Sequence, residues 1–389
     1  MFEAFLILIF IVTAIVTGQN LNDKFKNDNS PGDDAFFTNE ISQSNRQGRF
    51  FPFFSVVRFA NSECTGSHTL SGTCFTKREC VNMKGVDSGS CANGLGVCCV
   101  FEKTCGSTTS INNTYFINSE YPTRYLGGEQ CSISVSRCNS NICQLRIDFI
   151  DFRLAQPNAN GTCDKDVVLI SGGSSKVPRL CGENTNQHVY IDFNADNPIT
   201  ISIHTNSDFN FDDRRWNFKI QQIACDSSSR APTGCLQYYS SISDTVMSFN
   251  YGSLVNTRAQ TVGSRQMANL MYGVCVRMAL GYCSIEWSES KTNSFLVTGN
   301  LGAISINDPD PNVGAESGSD CDKDFVIVPN PYDESGLTLK ADRFCGTKFV
   351  TKSSSLKPFV LYVVTNENFI GKIQSRGFSL NYKQTICAV

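Results

Sequence analysis

The sequence is poor in catalytic side chains and in net charge. It holds three histidines, His68, His188 and His204, in 389 residues. General acid–base work near neutral pH falls most often to histidine, so few positions are left for it. No Gly-Asp-Ser-Gly-Gly, Ala-Ala-His-Cys or His-Glu-x-x-His stretch is present, which argues against serine-peptidase and zinc-peptidase chemistry. Ser171-Gly-Gly-Ser174 superficially resembles a nucleophile turn, but it falls where flanking strands need a loop and is read as one. The net charge of −3 lacks the basic footprint of a nucleic-acid binder. Beyond residue 16 no apolar run approaches the roughly 20 residues of a membrane span. Helix formers are sparse beside Ser, Asn, Thr, Phe, Val and Ile, which favours strands and turns.

What the chain has in excess is cysteine. Nineteen are too many for a reducing compartment and predict a disulfide framework in a secreted protein. An odd count leaves one thiol over, free or paired between chains, which allows a disulfide-linked dimer. Residues 1–18 read as a secretory signal peptide, an apolar run ending in Thr17-Gly18. Residues 19–61 form a polar, disordered lead-in. It includes Arg46-Gln-Gly-Arg49, a spacing that secretory proteases cut after Arg49, and it ends on the apolar Phe50-Phe-Pro-Phe-Phe54 stretch, which needs a surface to cover.

The chain contains an internal duplication. Cys163-Asp-Lys-Asp166-Val-Val-Leu-Ile170, followed by Leu180-Cys181-Gly182, recurs as Cys321-Asp-Lys-Asp324-Phe-Val-Ile-Val328, followed by Phe344-Cys345-Gly346. Around the first copy, Leu145, Ile147 and Phe149 alternate with polar residues, as do Trp216, Phe218 and Ile220. Short strands with Gly, Asn and Pro between them describe an antiparallel sandwich. The linker of residues 226–234 is short, so the two sandwiches are expected to sit close together.

Two resemblances follow from these residues. Asn118-Ser-Glu-Tyr121-Pro122-Thr-Arg-Tyr125, then Cys131, the Cys163…Asp166 turn and Leu180-Cys181-Gly182, resemble the order of a CUB domain; Gly377-Phe378-Ser-Leu-Asn-Tyr382 resembles its closing strand in the second copy. Cys64, Gly72-Thr-Cys74, Cys80, Cys91 and Gly96-Val-Cys98-Cys99 resemble the clip module of arthropod secreted proteins. The whole is similar to secreted insect CUB proteins. The implied fold is all-β: two jelly-roll-type β-sandwiches, at residues 105–225 and 235–387, preceded by a small clip-like disulfide domain at 62–101. Fewer than 40 residues need disulfides to hold a fold. Six cysteines allow fifteen connectivities; the clip resemblance implies Cys64–Cys98, Cys74–Cys91 and Cys80–Cys99. The CUB resemblance implies Cys105–Cys131 and Cys163–Cys181, and Cys321 and Cys345 are assigned to disulfides in the second copy. For the remaining cysteines, Cys138 with Cys143 and Cys275 with Cys283 bridge hairpins in the preferred reading. The alternative joins Cys143 to Cys225 and Cys283 to Cys387. The preferred reading leaves Cys225, Cys235 and Cys387 unsettled.

The resemblance also implies a calcium site made of a Glu on an early loop, an Asp in the cysteine turn and an Asp on a later loop. Asp166 and Asp208 match the two aspartates, while the Glu position falls near Ala155 and Asp151 is not equivalent. In the second copy only Asp324 matches, with Asn366 at the later position. The competing reading is that these aspartates cap turns. Arg214-Arg215-Trp216 reads as a solvated basic loop with a buried Trp anchor. Asn112-Asn-Thr114 and Asn160-Gly-Thr162 are glycosylation sequons. The function these features imply is non-enzymatic binding of extracellular proteins or glycans through sandwich loops. The alternative is a docking regulator of a protease cascade, acting through the clip-like module.

Overall fold

The computed structural model describes residues 58–67, 70–207, 213–252, 264–297, 314–367 and 375–387. His68, Arg49 and the Phe50–Phe54 stretch lie outside them, as does Asp208.

The six-cysteine unit is four strands and a helix around sulfur. β1 (Glu63–Thr65), β2 (Ser71–Phe75), α1 (Lys77–Asn82), β3 (Val86–Cys91) and β4 (Gly96–Lys103) follow in order. The helix starts at Thr76 because Thr76 Oγ1 accepts the Glu79 N–H while the Glu79 carboxylate accepts the Thr76 N–H, a reciprocal cap that satisfies two backbone donors. The helix turns Cys80 inward onto Cys99. Cys64–Cys98 and Cys74–Cys91 complete the staple.

The first copy is an eight-stranded sandwich. Its strands are β5 (Ser107–Thr109), β6 (Thr114–Ile117), β7 (Gln130–Val135), β8 (Ile142–Arg153), β9 (Val167–Ser171), β10 (His188–Asp192), β11 (Ile199–His204) and β12 (Arg215–Ala224). One sheet runs β5-β7-β11-β9 and the other β6-β12-β8-β10. The period-two pattern puts Ile199, Ile201 and Ile203 of one sheet against Leu145, Ile147, Phe149, Trp216, Phe218 and Ile220 of the other, all buried. Each such side chain contributes about 1.5–3 kcal/mol by leaving water. β4 pairs in parallel with β6, so β1, β2 and β4 extend the first copy's sheet. The six-cysteine unit is therefore welded to the sandwich by backbone hydrogen bonds. Tyr115 Oη also accepts the Ser71 N–H.

The second copy repeats the plan: β13 (Cys235–Tyr239), β14 (Ser243–Met247), β15 (Met271–Val276), β16 (Tyr282–Glu289), β17 (Phe295–Leu296), β18 (Ala315–Ser317), β19 (Phe325–Ile327), β20 (Pro331–Tyr332), β21 (Arg343–Gly346), β22 (Lys352–Ser354), β23 (Phe359–Val364) and β24 (Gly377–Ile386). The sheets are β13-β15-β23-β19-β21-β18 and β14-β24-β16-β22-β20, with β17 on β24. Trp287, Phe378, Leu380 and Tyr382 face Val274, Leu361 and Val363 across its core.

Nine disulfides take eighteen of the cysteines, and they correct the hairpin reading. In the first copy the bonds are Cys105–Cys131, Cys143–Cys225 and Cys163–Cys181. In the second they are Cys235–Cys275, Cys283–Cys387 and Cys321–Cys345. Neither Cys138–Cys143 nor Cys275–Cys283 forms. The register explains why: β8 and β12 pair Gln144 with Ile223 and Ile142 with Ala224, which lays Cys143 beside Cys225 at the end of the ladder. β16 and β24 do the same for Cys283 and Cys387. Cys275 is claimed by Cys235 because β13 runs parallel to β15 and sets Cys235 opposite Gly273, two residues from Cys275. The leftover thiol is the exposed Cys138 rather than one of the cysteines the sequence left unsettled.

The two copies are joined by a dense polar junction within the compact unit Ala60–Val389. Gln144 reads the linker as a strand would, donating to the Ala231 carbonyl at 3.1 Å and accepting its N–H at 2.9 Å. Asn250 Oδ1 accepts the Glu183 N–H, its own N–H donates to Asn184, and its Nδ2 donates to Gln156 and to the Arg265 carbonyl. Gly182, with φ +75°, is required here: a Cβ would stand 2.1 Å from Asn250 Oδ1. His188 Nε2 accepts the Tyr238 N–H at 3.0 Å while its ring packs against Tyr190 and Tyr239. Burial, aided by the nearby Arg146 charge, pushes its pKa down to about 4. Met267 Sδ rests 3.9 Å from Cys163 Sγ. Such a junction, with Gln144, Asn250 and His188 paired across it, leaves little freedom to swing.

Candidate functional site

The repeated pattern of the duplication converges on Asp166. It enters β9 just after Cys163, and its side chain is wholly buried. Three loops donate to it. The Ala155 N–H reaches Oδ2 at 2.8 Å, the Asn206 N–H reaches Oδ1 at 3.1 Å, and Arg214 Nε reaches Oδ2 at 2.7 Å. Arg214 is itself 1% exposed, which corrects the reading of a solvated basic loop: Trp216 is the buried anchor, and Arg214 is buried with it. The backbone pattern puts Trp216 inward, and the residue two before it follows the same face. The pair draws together the ends of β8, β11 and β12.

The Tyr-Pro segment braces this pair from outside. Tyr125 stacks edge-on against Trp216 at 4.9 Å, and its N–H donates to the Arg214 carbonyl at 2.6 Å. Asn118 Nδ2 donates to the Thr123 carbonyl while its Oδ1 accepts the Trp216 N–H. Gly127, with φ +89°, passes so close that a Cβ would lie 2.8 Å from Arg214 Nη1. The role of Arg214 was not read from the sequence. The signal that points to it is an arginine two residues before the closing-strand aromatic, a spacing that Arg376 and Phe378 repeat.

Next to the buried pair lies a half-buried lattice of charge. β8 and β12 pair Arg153 with Arg215. Arg153 reaches Asp151, Asp213 and Glu183 at 3.2, 2.9 and 3.7 Å, and Arg215 reaches Asp151 and Asp213 at 2.7 and 3.2 Å. Planar guanidinium forks and carboxylates held in register suit recognition of a charged, hydrogen-bonding partner.

The described residues do not fit calcium at this place. A hard cation needs several oxygen ligands, yet Asp166 already carries a guanidinium and two N–H donors, and Asp151 is held by two arginines. Position 155 is an alanine whose backbone donates. No group of three or more His, Cys, Asp or Glu able to hold a metal occurs among the described residues. In the second copy Asp324 is buried, and its Oδ1 accepts the Asn366 N–H at 2.9 Å, as Asp166 does from Asn206. The arginine equivalent, Arg376, donates to the carbonyls of Gly252 and Asn293 and lies over the Tyr251 ring. The sequon residues Asn112 and Asn160 are both exposed.

With two sandwiches, their cysteine turns and their closing strands described, comparison with known families becomes informative. Residues 232–385 match the family model of the animal CUB domain. That span is the second copy, whose start the sequence had made the more divergent. No curated protein matches the chain. Among solved structures, the CUB1-EGF-CUB2 domains of rat MASP-1 are 11% identical, with 71% of this chain and 99% of that one covered and a TM-score of 0.24. The human MASP-1/3 CUB1-EGF-CUB2 domain is 11% identical over 70% and 98%, also with a TM-score of 0.24. The full extracellular region of zebrafish Gpr126/Adgrg6 is 11% identical over 74% of this chain and 37% of that one, with a TM-score of 0.26. No helix among the described residues is long and apolar enough to cross a membrane.

Proposed function

We propose that this chain is a secreted, non-enzymatic binding protein whose first sandwich engages an extracellular protein or glycan through the charged lattice at its loop end. The observation that carries this reading is the half-buried Arg153–Arg215 lattice, with Asp213 and Glu183 exposed at its rim, beside the buried Asp166–Arg214 pair. A surface that is charged, ordered and preorganised loses little entropy on binding. The CUB match of residues 232–385 supports a binding role. His188 is occupied by the Tyr238 N–H, and the Ser171–Ser174 turn is fastened by Ser175 and the Asp192 backbone.

The test is recovery of a partner from extracellular fluid with the secreted protein as bait, beside the variant Arg153→Ala/Glu183→Ala. The variant removes one charge of each sign and keeps the buried pair. Recovery falls by about tenfold if the lattice is the binding face. Unchanged recovery by a folded variant places the binding face elsewhere.

A further inference from the structure

The second sandwich is open along one side, where the sheet that ends on β18 parts from the sheet that ends on β20. A pocket of about 390 Å³ lies there, within the range of about 300–1,000 Å³ typical of small-ligand sites. Its walls come from both edges: β18, Phe344 of β21, Lys352 of β22, and the segments around Leu339 and Phe349 that join these strands. Leu339, Ala341 and Val350 each present partly exposed apolar surface to it. Phe344 and Phe349 back them, packed edge to face at 5.8 Å. Such a lining favours a ligand with an apolar body.

The charge around this lining is mostly positive. Lys340, Lys348 and Lys352 line the pocket against one carboxylate, Glu316. Burial and the neighbouring Asp320 raise the Glu316 pKa, and no lysine acts on it, so the acid and the lysines hold separate parts of the wall. Lys348 acts on Glu289, and Lys340 is exposed at the rim. Lys352 is half-buried, and its ammonium carries three N–H groups. Its contacts among the described residues are one long hydrogen bond, to the Thr351 carbonyl at 3.4 Å, and the Phe344 ring, whose centre is 5.5 Å away. Burial lowers its pKa against the pull of Asp333 and Glu334. An ammonium partly stripped of water and without a salt bridge is stabilised by an arriving anion.

We propose that this pocket binds an amphipathic organic anion, a carboxylate whose head pairs with Lys352 and whose apolar body lies on Leu339, Ala341 and Val350. Lys340 adds to the field at the rim. The apolar lining supplies affinity, and the lysines choose the sign of the head. The site belongs to the second sandwich and is independent of the Arg153–Arg215 lattice in the first.

The test titrates the full secreted chain by calorimetry with octanoate, octanol and octylammonium, which share a tail and differ in the head. The site predicts octanoate binding tighter than about 1 mM, with octanol and octylammonium at least about tenfold weaker. Lys352→Met keeps an apolar stem and removes the charge. It should weaken octanoate about tenfold and leave octanol unchanged. Ala341→Phe keeps every charge and fills the pocket, so it should abolish octanoate binding. No saturable octanoate binding, equal affinity for either of the other heads, or octanoate binding indifferent to either folded variant would overturn the proposal.

Discussion

Replacing Arg214 with methionine should be the most damaging single change at the loop end. Both partners of the pair are out of water, at 1% and 0% side-chain exposure. Methionine fills much of the same volume but leaves the Asp166 carboxylate buried without its cation. Breaking one side of a buried pair in this way costs about 3–5 kcal/mol. Asp166→Asn should also be costly, because it strands the guanidinium and turns an amide toward a backbone donor, the Ala155 or Asn206 N–H. The double variant removes both charges, and the two losses should then fall short of adding by about 1–3 kcal/mol. Trp216 lies in the first sandwich and Trp287 in the second. Equilibrium denaturation followed by fluorescence in a Trp287→Phe background therefore reads the affected sandwich alone. An Arg214→Met cost below about 1 kcal/mol, or strict additivity in the double variant, would refute the account of a buried pair organising the loops.

Other consequences can be checked independently. The His188 pKa is pushed down to about 4 in the folded chain, against about 6.5 when unfolded, so the unfolded chain takes up the proton first as pH falls. Stability should decline between pH 6.5 and 4 by about 3 kcal/mol and level off below. His188→Gln keeps an acceptor for Tyr238, and a decline of equal size in that variant would remove His188 as the cause. Asn250→Ala strips the junction of the groups that hold Glu183, Gln156 and Arg265, at a cost of about 1–3 kcal/mol for the donor left unpaired. Scattering from that variant should show a larger spread of inter-sandwich distances, and an unchanged profile would argue that the apolar contacts suffice. A thiol reagent should label one cysteine per native chain, and Cys138→Ser should abolish the label. More than one labelled site would contradict the nine bonds.

The sheets were legible because the first copy alternates cleanly: Leu145, Ile147, Phe149 and Ile199, Ile201, Ile203 all point to the core that the period of two predicts. The cysteine turn was legible because it is written twice. What stayed hidden depends on partners distant in sequence. Whether Cys143 meets Cys138 or Cys225 is decided by the β8–β12 register, 82 residues away. The Cys235–Cys275 bond needs a parallel pairing that no local pattern announces. Arg214 looked solvated because charged neighbours surround it in sequence; only the fold shows Asp166, 48 positions earlier, beside it. The junction was foreshadowed by the short linker, but its specificity rests on Asn250, Gln144 and His188, polar residues with no periodicity to mark them.

The most direct measurement is recovery of the partner by the secreted bait in calcium and again in chelator. The loop end is braced by a guanidinium rather than a metal, so the account predicts equal recovery in both conditions. It predicts loss when Arg214 is replaced by methionine. A partner that is recovered in calcium and released by chelator would contradict it, and would require a cation among the loops that the Asp166–Arg214 pair is held to have displaced.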